Sequence, residues 1–173
     1  MNNRIVLITG PKHSGKTRCA RALGEILGVK AVDLDELVKA TTGKTPRELF
    51  HEGADVFRKA EAKALSSLLQ APVIIAAGGG LIDNTEAIAL LAQCSEKIIV
   101  CLDVSAETAW QRILDNTAGG ELPPFLNTEN PQETHLALHE RRTKAYKALA
   151  HLVIDVENKS PETMAKEIAA KSM

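Results

Sequence analysis

The chain has 173 residues, 45% hydrophobic and 25% charged, the balance of one globular domain with a real core and not of a disordered chain. Its formal net charge is −1, which leaves no global field to gather nucleic acid or an anionic membrane, so an anionic ligand needs a local site. Aromatic residues make up 3%, and a core of Ala, Leu, Ile and Val suits helices packed on a parallel sheet.

The elements alternate along the chain. Residues 4–9 form a short β-rich run. Its apolar stretch is too short for a signal peptide or a membrane span, and the chain is read as cytoplasmic. Residues 16–27 have helical periodicity and stop at Gly28, a good terminator. Residues 30–33 read as a second strand. Thr45 and Pro46 read as an N-cap followed by proline at the first helical position. Residues 54–69 form a longer helix with Phe57, Ala60, Ala64, Leu65 and Leu68 on one face.

Residues 73–77 are an unbroken apolar run, as expected of a strand covered on both faces. A helix over 84–92, a buried strand over 98–102 and a helix capped by Ser105 and running to Leu114 follow. Residues 116–131 hold Gly, Pro and Asn without periodicity and read as a loop. A helix over 131–149, a short strand over 152–154 and a last helix starting at Ser160 complete the order.

Five strands separated by helices imply one α/β domain over 1–173, with a parallel sheet and right-handed crossovers. Ligands of such folds gather at the carboxyl ends of the strands. Cys19, Cys94 and Cys101 are odd in number and widely spaced, without a disulfide or zinc pattern. Cys19 and Cys101 read as buried thiols.

The motifs fall at the carboxyl ends of the strands. Residues 10–17 fit G-x-x-x-x-G-K-[ST] at every fixed position, after a strand and before a helix. A tight loop presents successive backbone N–H groups to triphosphate oxygens, and the helix that follows turns its positive end toward them. Gly15 admits the backbone closely, Lys16 reaches the β and γ groups, and Thr17 offers a hydroxyl to Mg²⁺. His13 and Ser14 belong to the same loop. Lys12, His13 and Arg18 add basic character at the nucleotide, with a solvated side chain as the plain alternative for Lys12 and His13.

Asp33 and Asp35 follow the second strand. Two apart at a strand end, they point the same way. They suit a hydrated Mg²⁺ and a substrate hydroxyl, or either simply caps a helix. Gly78, Gly79 and Gly80 open backbone amides to a ligand, or make a plain turn. Arg58 and Glu61, three apart on a helix, read by themselves as a surface ion pair.

In this order, the phosphate loop, Asp33 with Asp35, Gly43 before Glu48-Leu49-Phe50, and Phe57-Arg58 with Glu61 lead to the glycine run. Arg112 before the loop and Arg142 four before Tyr146 come after it. Together they resemble the shikimate kinases over nearly the full length. The glycine run with F-R-x-x-E and R-x-x-x-Y is more specific than the phosphate loop alone. The resemblance implies a P-loop NTPase fold, a five-stranded parallel sheet flanked by helices with a lid near 116–131. It implies ATP and Mg²⁺ as cofactors and a small hydroxy acid as acceptor, with no nucleic acid or membrane partner.

It further implies that Asp35 meets the reacting hydroxyl as base and Asp33 supports Mg²⁺. Arg58 and Arg142 would grip the acceptor carboxylate beside residues 78–80, and Arg112 would lie by the adenine. Guanidinium groups suit that task because they bind carboxylates through two hydrogen bonds.

The sequence departs from the family at named places. The family lid usually reads Arg-Pro-Leu-Leu, but here it is Pro123-Pro124-Phe125-Leu126, so Pro123 takes the place of an arginine. His13 replaces a frequent Gly, and Ala54 a Glu. The leading expectation is phosphorylation of shikimate. Its rivals are a kinase for another small acid or sugar acid, and a nucleotide-binding regulatory domain with little turnover. With little to bury, the lid is expected to be mobile without ligand. A monomer is expected, because no apolar helix face is left over.

Overall fold

The computed structural model describes residues 4–117 and 120–172. Of the expected lid, Ala118 and Gly119 lie outside the described residues, as do Met1–Asn3 and Met173. Five parallel strands run β1 (Ile5–Thr9), β2 (Ala31–Asp33), β3 (Val73–Ala76), β4 (Lys97–Asp103) and β5 (Leu152–Asp155), arranged in space as β2-β3-β1-β4-β5. β1 pairs with β3 from Ile5↔Val73 and with β4 from Ile5↔Lys97. From β1 the chain builds one side of the sheet through β2 and β3. It then crosses to β4 and β5, so the order reverses beside β1 and leaves a crevice at its carboxyl end.

Strand alternation divides the core into two layers. Val6 and Ile8 face Cys19, Leu23, Leu102, Ile154 and Ile168, against α1 (Lys16–Leu27) and α8 (Pro161–Ser172). Ile5 and Leu7 face Leu34, Leu65, Ile75, Leu81 and Leu91. This second layer lies against α2 (Leu34–Thr42), α4 (Ala54–Leu68) and α5 (Thr85–Gln93). Cys19 and Cys101 are buried free thiols, as expected, and Cys94 is half-buried.

The helix signals hold with small shifts of boundary. α3 (Pro46–Glu52) starts with Thr45 as N-cap in a full capping box with Glu48. Ser105 Oγ accepts from Thr108 N–H at the start of α6 (Ala106–Thr117). Three expectations need correction. α2 follows β2 without a gap, because the Asp33 side chain caps it and Leu34 and Val38 bury one face. Residues 116–131 are not a featureless loop. α6 continues to Thr117, residues 124–126 form a 3₁₀ turn, and α7 (Pro131–Leu149) follows. Nor does the lid have little to bury: Leu126 is fully buried and Pro123 is buried beside it. Arg47 of α3 ties the lid down through Glu121 at 2.6 Å and the Leu122 carbonyl at 3.2 Å.

Candidate active site

The phosphate loop leaves β1 where Thr9 Oγ1 donates to the Val100 carbonyl, anchoring it to β4. His13 has φ 59°, a left-handed conformation that glycine adopts freely and His tolerates better than most residues. This accounts for a His where the family often has Gly. The Arg112 guanidinium donates to the His13 carbonyl at 3.0 Å, so α6 holds the loop from outside. Burial, then the charges of Lys12, Lys16 and Arg112, push the His13 imidazole down to about 4. His13 is therefore neutral at physiological pH and adds no charge to the loop.

Lys16 is buried. Its Nζ donates to the Pro11 carbonyl at 2.6 Å and lies 3.5 Å from Ser14 Oγ. Burial brings the ammonium down to about 8, while Asp35 and Asp33 work in the opposite direction. Lys12 and Arg18 stand exposed on either side of Lys16 in sequence. Lys12 is close enough in charge to act on His13, Lys16 and Asp35 alike.

The two aspartates do not point the same way, because β2 ends at Asp33 and Asp35 already lies in the first turn of α2. Asp33 Oδ1 accepts from the N–H groups of Asp35 and Glu36, and Oδ2 accepts from Thr17 Oγ1 at 2.5 Å. Capping and a place beside the phosphate loop are thus met by one side chain. Asp35 instead turns a buried, unpartnered Oδ1 toward Gly78. Burial, then Asp33, raise the Asp35 carboxyl above its ordinary range, against Lys12 and Lys16.

The glycine run is a place of close approach. A Cβ on Gly78 would lie 3.0 Å from Asp35 Oδ1, one on Gly79 3.1 Å from the backbone nitrogen of Lys12, and one on Gly80 3.4 Å from Arg142 Nη2. The loop after β3 therefore seats α2, the phosphate loop and α7 together. Tyr146 braces it: the buried hydroxyl accepts from Ile82 N–H at 3.1 Å and donates toward the Gly78 carbonyl at 3.3 Å.

The expectation of a surface Arg58–Glu61 pair is overturned. Glu61 is 1% exposed and accepts from Asn84 Nδ2 at 2.9 Å, with Oε1 left unpartnered. Burial pushes its carboxyl up to about 7; the Asn84 bond lowers it, Asp35 raises it, and Arg58 and Arg142 lower it. Both arginines therefore act on one buried carboxyl. Among the described residues no hydrogen bond or ion pair holds the Arg58 guanidinium. Arg142 donates from Nε to Asp83 Oδ2 at 2.9 Å and lies 5.3 Å from the Phe125 ring centre of the lid.

Glu61, Tyr146 and Phe125 stand in the motifs without a role of their own, and Asn84 and Asp83 are site neighbours that no motif names. Glu61 carries a visible signal. A charged residue stands in the apolar stripe that runs from Phe57 to Leu65.

The chemistry of the donors fits Mg²⁺. A threonine hydroxyl and a carboxylate side by side are hard oxygen ligands, and Mg²⁺ takes few protein ligands beside phosphate and water. Among the described residues no group of three or more His, Cys, Asp or Glu is placed to hold a metal ion.

Comparison with known proteins agrees with this geometry. The family model for shikimate kinase matches residues 12–172. The shikimate kinase of Corynebacterium efficiens is 32% identical over 169 residues, 97% of this chain and 96% of that protein. That of Salinispora arenicola is 34% identical over 168 residues, 96% of each. The structure of shikimate kinase from Acinetobacter baumannii in complex with shikimate superposes with a TM-score of 0.85 at 30% identity. The match covers 98% of this chain and 92% of that one.

Proposed function

The chain belongs to the shikimate kinase family, and from that premise we propose that it transfers the γ-phosphoryl group of ATP to the 3-hydroxyl of shikimate. The observation that carries this reading is the free, buried Oδ1 of Asp35. It faces the glycine run between the phosphate loop on one side and Arg142 on the other.

In the reaction, the acceptor oxygen forms a bond to the γ-phosphorus. The bond to the β,γ-bridging oxygen breaks, and ADP leaves with the electron pair. Asp35 Oδ1 takes the hydroxyl proton; its raised pKa suits it to hold that proton once transferred. Lys16 leaves the Pro11 carbonyl for the phosphates, where a negative partner favours its charged form. The open N–H groups at the start of α1 receive the remaining phosphate oxygens. Thr17 and Asp33 would hold Mg²⁺, which when bound neutralises phosphate charge as it develops. Arg58 and Arg142 grip the acceptor carboxylate. Most of the rate comes from positioning and electrostatics.

Residues 116–131 contain no Lys or Arg, so the lid has no cation to lend the transferred group. We assign that task to Lys12, the exposed cation of the phosphate loop whose charge already reaches Asp35 and Lys16. Arg112 is engaged with the loop backbone and serves the nucleotide by holding the loop in shape. Among the described residues no helix is long and apolar enough to cross a membrane. The protein is proposed to act as a monomer in the cytoplasm, where ATP is available.

Incubation with ATP, Mg²⁺ and shikimate tests the reading. Phosphorus NMR is expected to show a new phosphate monoester formed one for one with ADP, and none with Lys16→Ala. ADP release that does not depend on shikimate would overturn it.

A further inference from the structure

Arg142 is not a free side chain waiting for a ligand. Asp83, in the 3₁₀ turn at 81–83 just after the glycine run, meets it from the side. Asp83 Oδ2 accepts from Arg142 Nε at 2.9 Å and pairs with Nη2 at 2.8 Å. Arg141, the preceding residue, grips the same carboxylate through both amino groups, Nη1 to Oδ1 at 2.7 Å and Nη2 to Oδ2 at 3.1 Å. Both partners are well covered at this contact, with the side chains of Asp83 and Arg142 14% and 18% exposed. The turn itself is pinned to α7, because Ile82 N–H donates to the Tyr146 hydroxyl. Asp83 is thus a fixed post.

A guanidinium has five N–H donors in one plane. Asp83 takes Nε–H and lies against Nη2 as an ion pair, on the side edge. The outer edge, made of the second Nη2–H and the Nη1 group, keeps the parallel pair of donors that a carboxylate binds in fork fashion. Gly80 lies against the guanidinium, with its Cβ position 3.4 Å from Nη2, and the Phe125 ring centre lies 5.3 Å from Cζ.

We propose that Asp83 is a positioning residue for the acceptor: held by Arg141, it clamps the side edge of Arg142 so that the outer edge is presented to the acceptor carboxylate. This inference rests on the acceptor reading given above. Arg141, Asp83 and Arg142 together carry a single net positive charge, which one acceptor carboxylate balances, and Arg58 adds a second. The cluster selects an acceptor whose carboxylate approaches end-on in the guanidinium plane. Burial acts against the charged form of Asp83. The bonds from Arg141 and the charge of Arg142 nevertheless hold its carboxyl below the ordinary range, so it stays ionised in this role.

The test is steady-state kinetics with shikimate varied at saturating ATP, on wild type, Asp83→Asn, Arg142→Met and the double variant, each checked by thermal melting. An amide has no charge and one acceptor oxygen; with that oxygen toward Arg142, its NH2 group faces Arg141 Nη1, a donor against a donor, so Arg141 no longer holds the clamp in place. Asp83→Asn is expected to raise the acceptor KM by about tenfold, the scale of one hydrogen bond to a charged group. The KM for ATP should stay within about twofold of wild type, because ATP binding does not use the clamp. In the Arg142→Met background the same change should add nothing to the acceptor KM, since Asp83 acts through Arg142.

A fall in acceptor KM on Asp83→Asn would show that Asp83 competes with the acceptor, and would overturn the proposal. So would an unchanged KM, or an effect that persists without Arg142. If Asp83→Asn does not fold, Arg141→Gln decides in its place: a smaller rise in acceptor KM supports the clamp and no rise overturns it. A wild type that does not phosphorylate shikimate would defeat the acceptor reading and this inference together. An active wild type with indifferent Asp83 variants would defeat this inference alone.

Discussion

Asp35 and Glu61 turn their unpartnered carboxyl oxygens onto the same glycine. A Cβ on Gly78 would meet Asp35 Oδ1 at 3.0 Å and Glu61 Oε1 at 3.2 Å. Two buried carboxylates so placed resist carrying charge together. Burial raises both carboxyls; Glu61 is pushed up to about 7 and keeps a proton into the neutral range. A protonated Glu61 sets no second charge against Asp35, which suits the base role proposed for Asp35.

The consequence for stability has a definite sign. The folded pKa of Glu61 lies above its unfolded value of 4.5. Below that unfolded value both states are protonated and the site carries no penalty. As pH rises toward about 7 the unfolded chain loses its proton while the fold retains it, so stability falls, and the loss is complete above the folded pKa. Glu61→Gln keeps an acceptor for Asn84 Nδ2 and removes the titration. Melting curves are expected to show the variant above wild type at alkaline pH, with the gap closing as pH falls through the unfolded pKa. A gap that does not depend on pH would show that Glu61 is not the titrating group.

Asp33 and Asp35 are expected to separate by readout. Asp33→Asn preserves a capping side chain but loses the charge beside Thr17, so melting should hold while the Mg²⁺ concentration needed for half-maximal rate rises. Asp33→Ala should in addition cost about 1 kcal/mol through the lost cap. Asp35→Asn should lower kcat strongly and spare ATP binding. Matching Mg²⁺ titrations for Asp33→Asn and Asp35→Asn would contradict this division.

Lys12 and Pro123 form the third test. Lys12→Ala is expected to cut kcat by about tenfold or more, as expected when one stabiliser of developing charge is removed, while leaving the fold unchanged. Pro123→Arg in that background should restore part of the rate if the new side chain reaches the phosphate. A Lys12→Ala enzyme with wild-type kcat would mean that Lys16 and Mg²⁺ suffice.

Much of this was legible in the sequence, and the physical reason differs by feature. The phosphate loop, the glycine run and the strands are local patterns, and they stand where expected. α2 was missed because its signal is nine residues long and follows β2 without a break. The same omission put Asp35 on a strand end and gave the wrong direction to its side chain. The contacts that shape the acceptor end are distant in sequence. Asp83 and Arg142 are 59 residues apart, and Tyr146 reaches back 64 residues to Ile82. No spacing rule relates such pairs. The lid was misjudged by composition. It is polar, but Leu126 and Pro123 are buried and Arg47 fastens it to α3.

The acceptor carboxylate is the centre of the account. The most direct measurement compares kcat/KM, with ATP and Mg²⁺, for shikimate, for its analogue with the carboxylate reduced to an alcohol, and for a sugar acid such as gluconate. Arg58→Met and Arg142→Met should be run beside wild type. Wild type is expected to prefer shikimate over the alcohol by roughly tenfold to a hundredfold, the range for hydrogen bonds to a charged group. Either substitution should shrink that preference through KM. Equal use of the alcohol, or a higher kcat/KM for gluconate than for shikimate, would contradict the account.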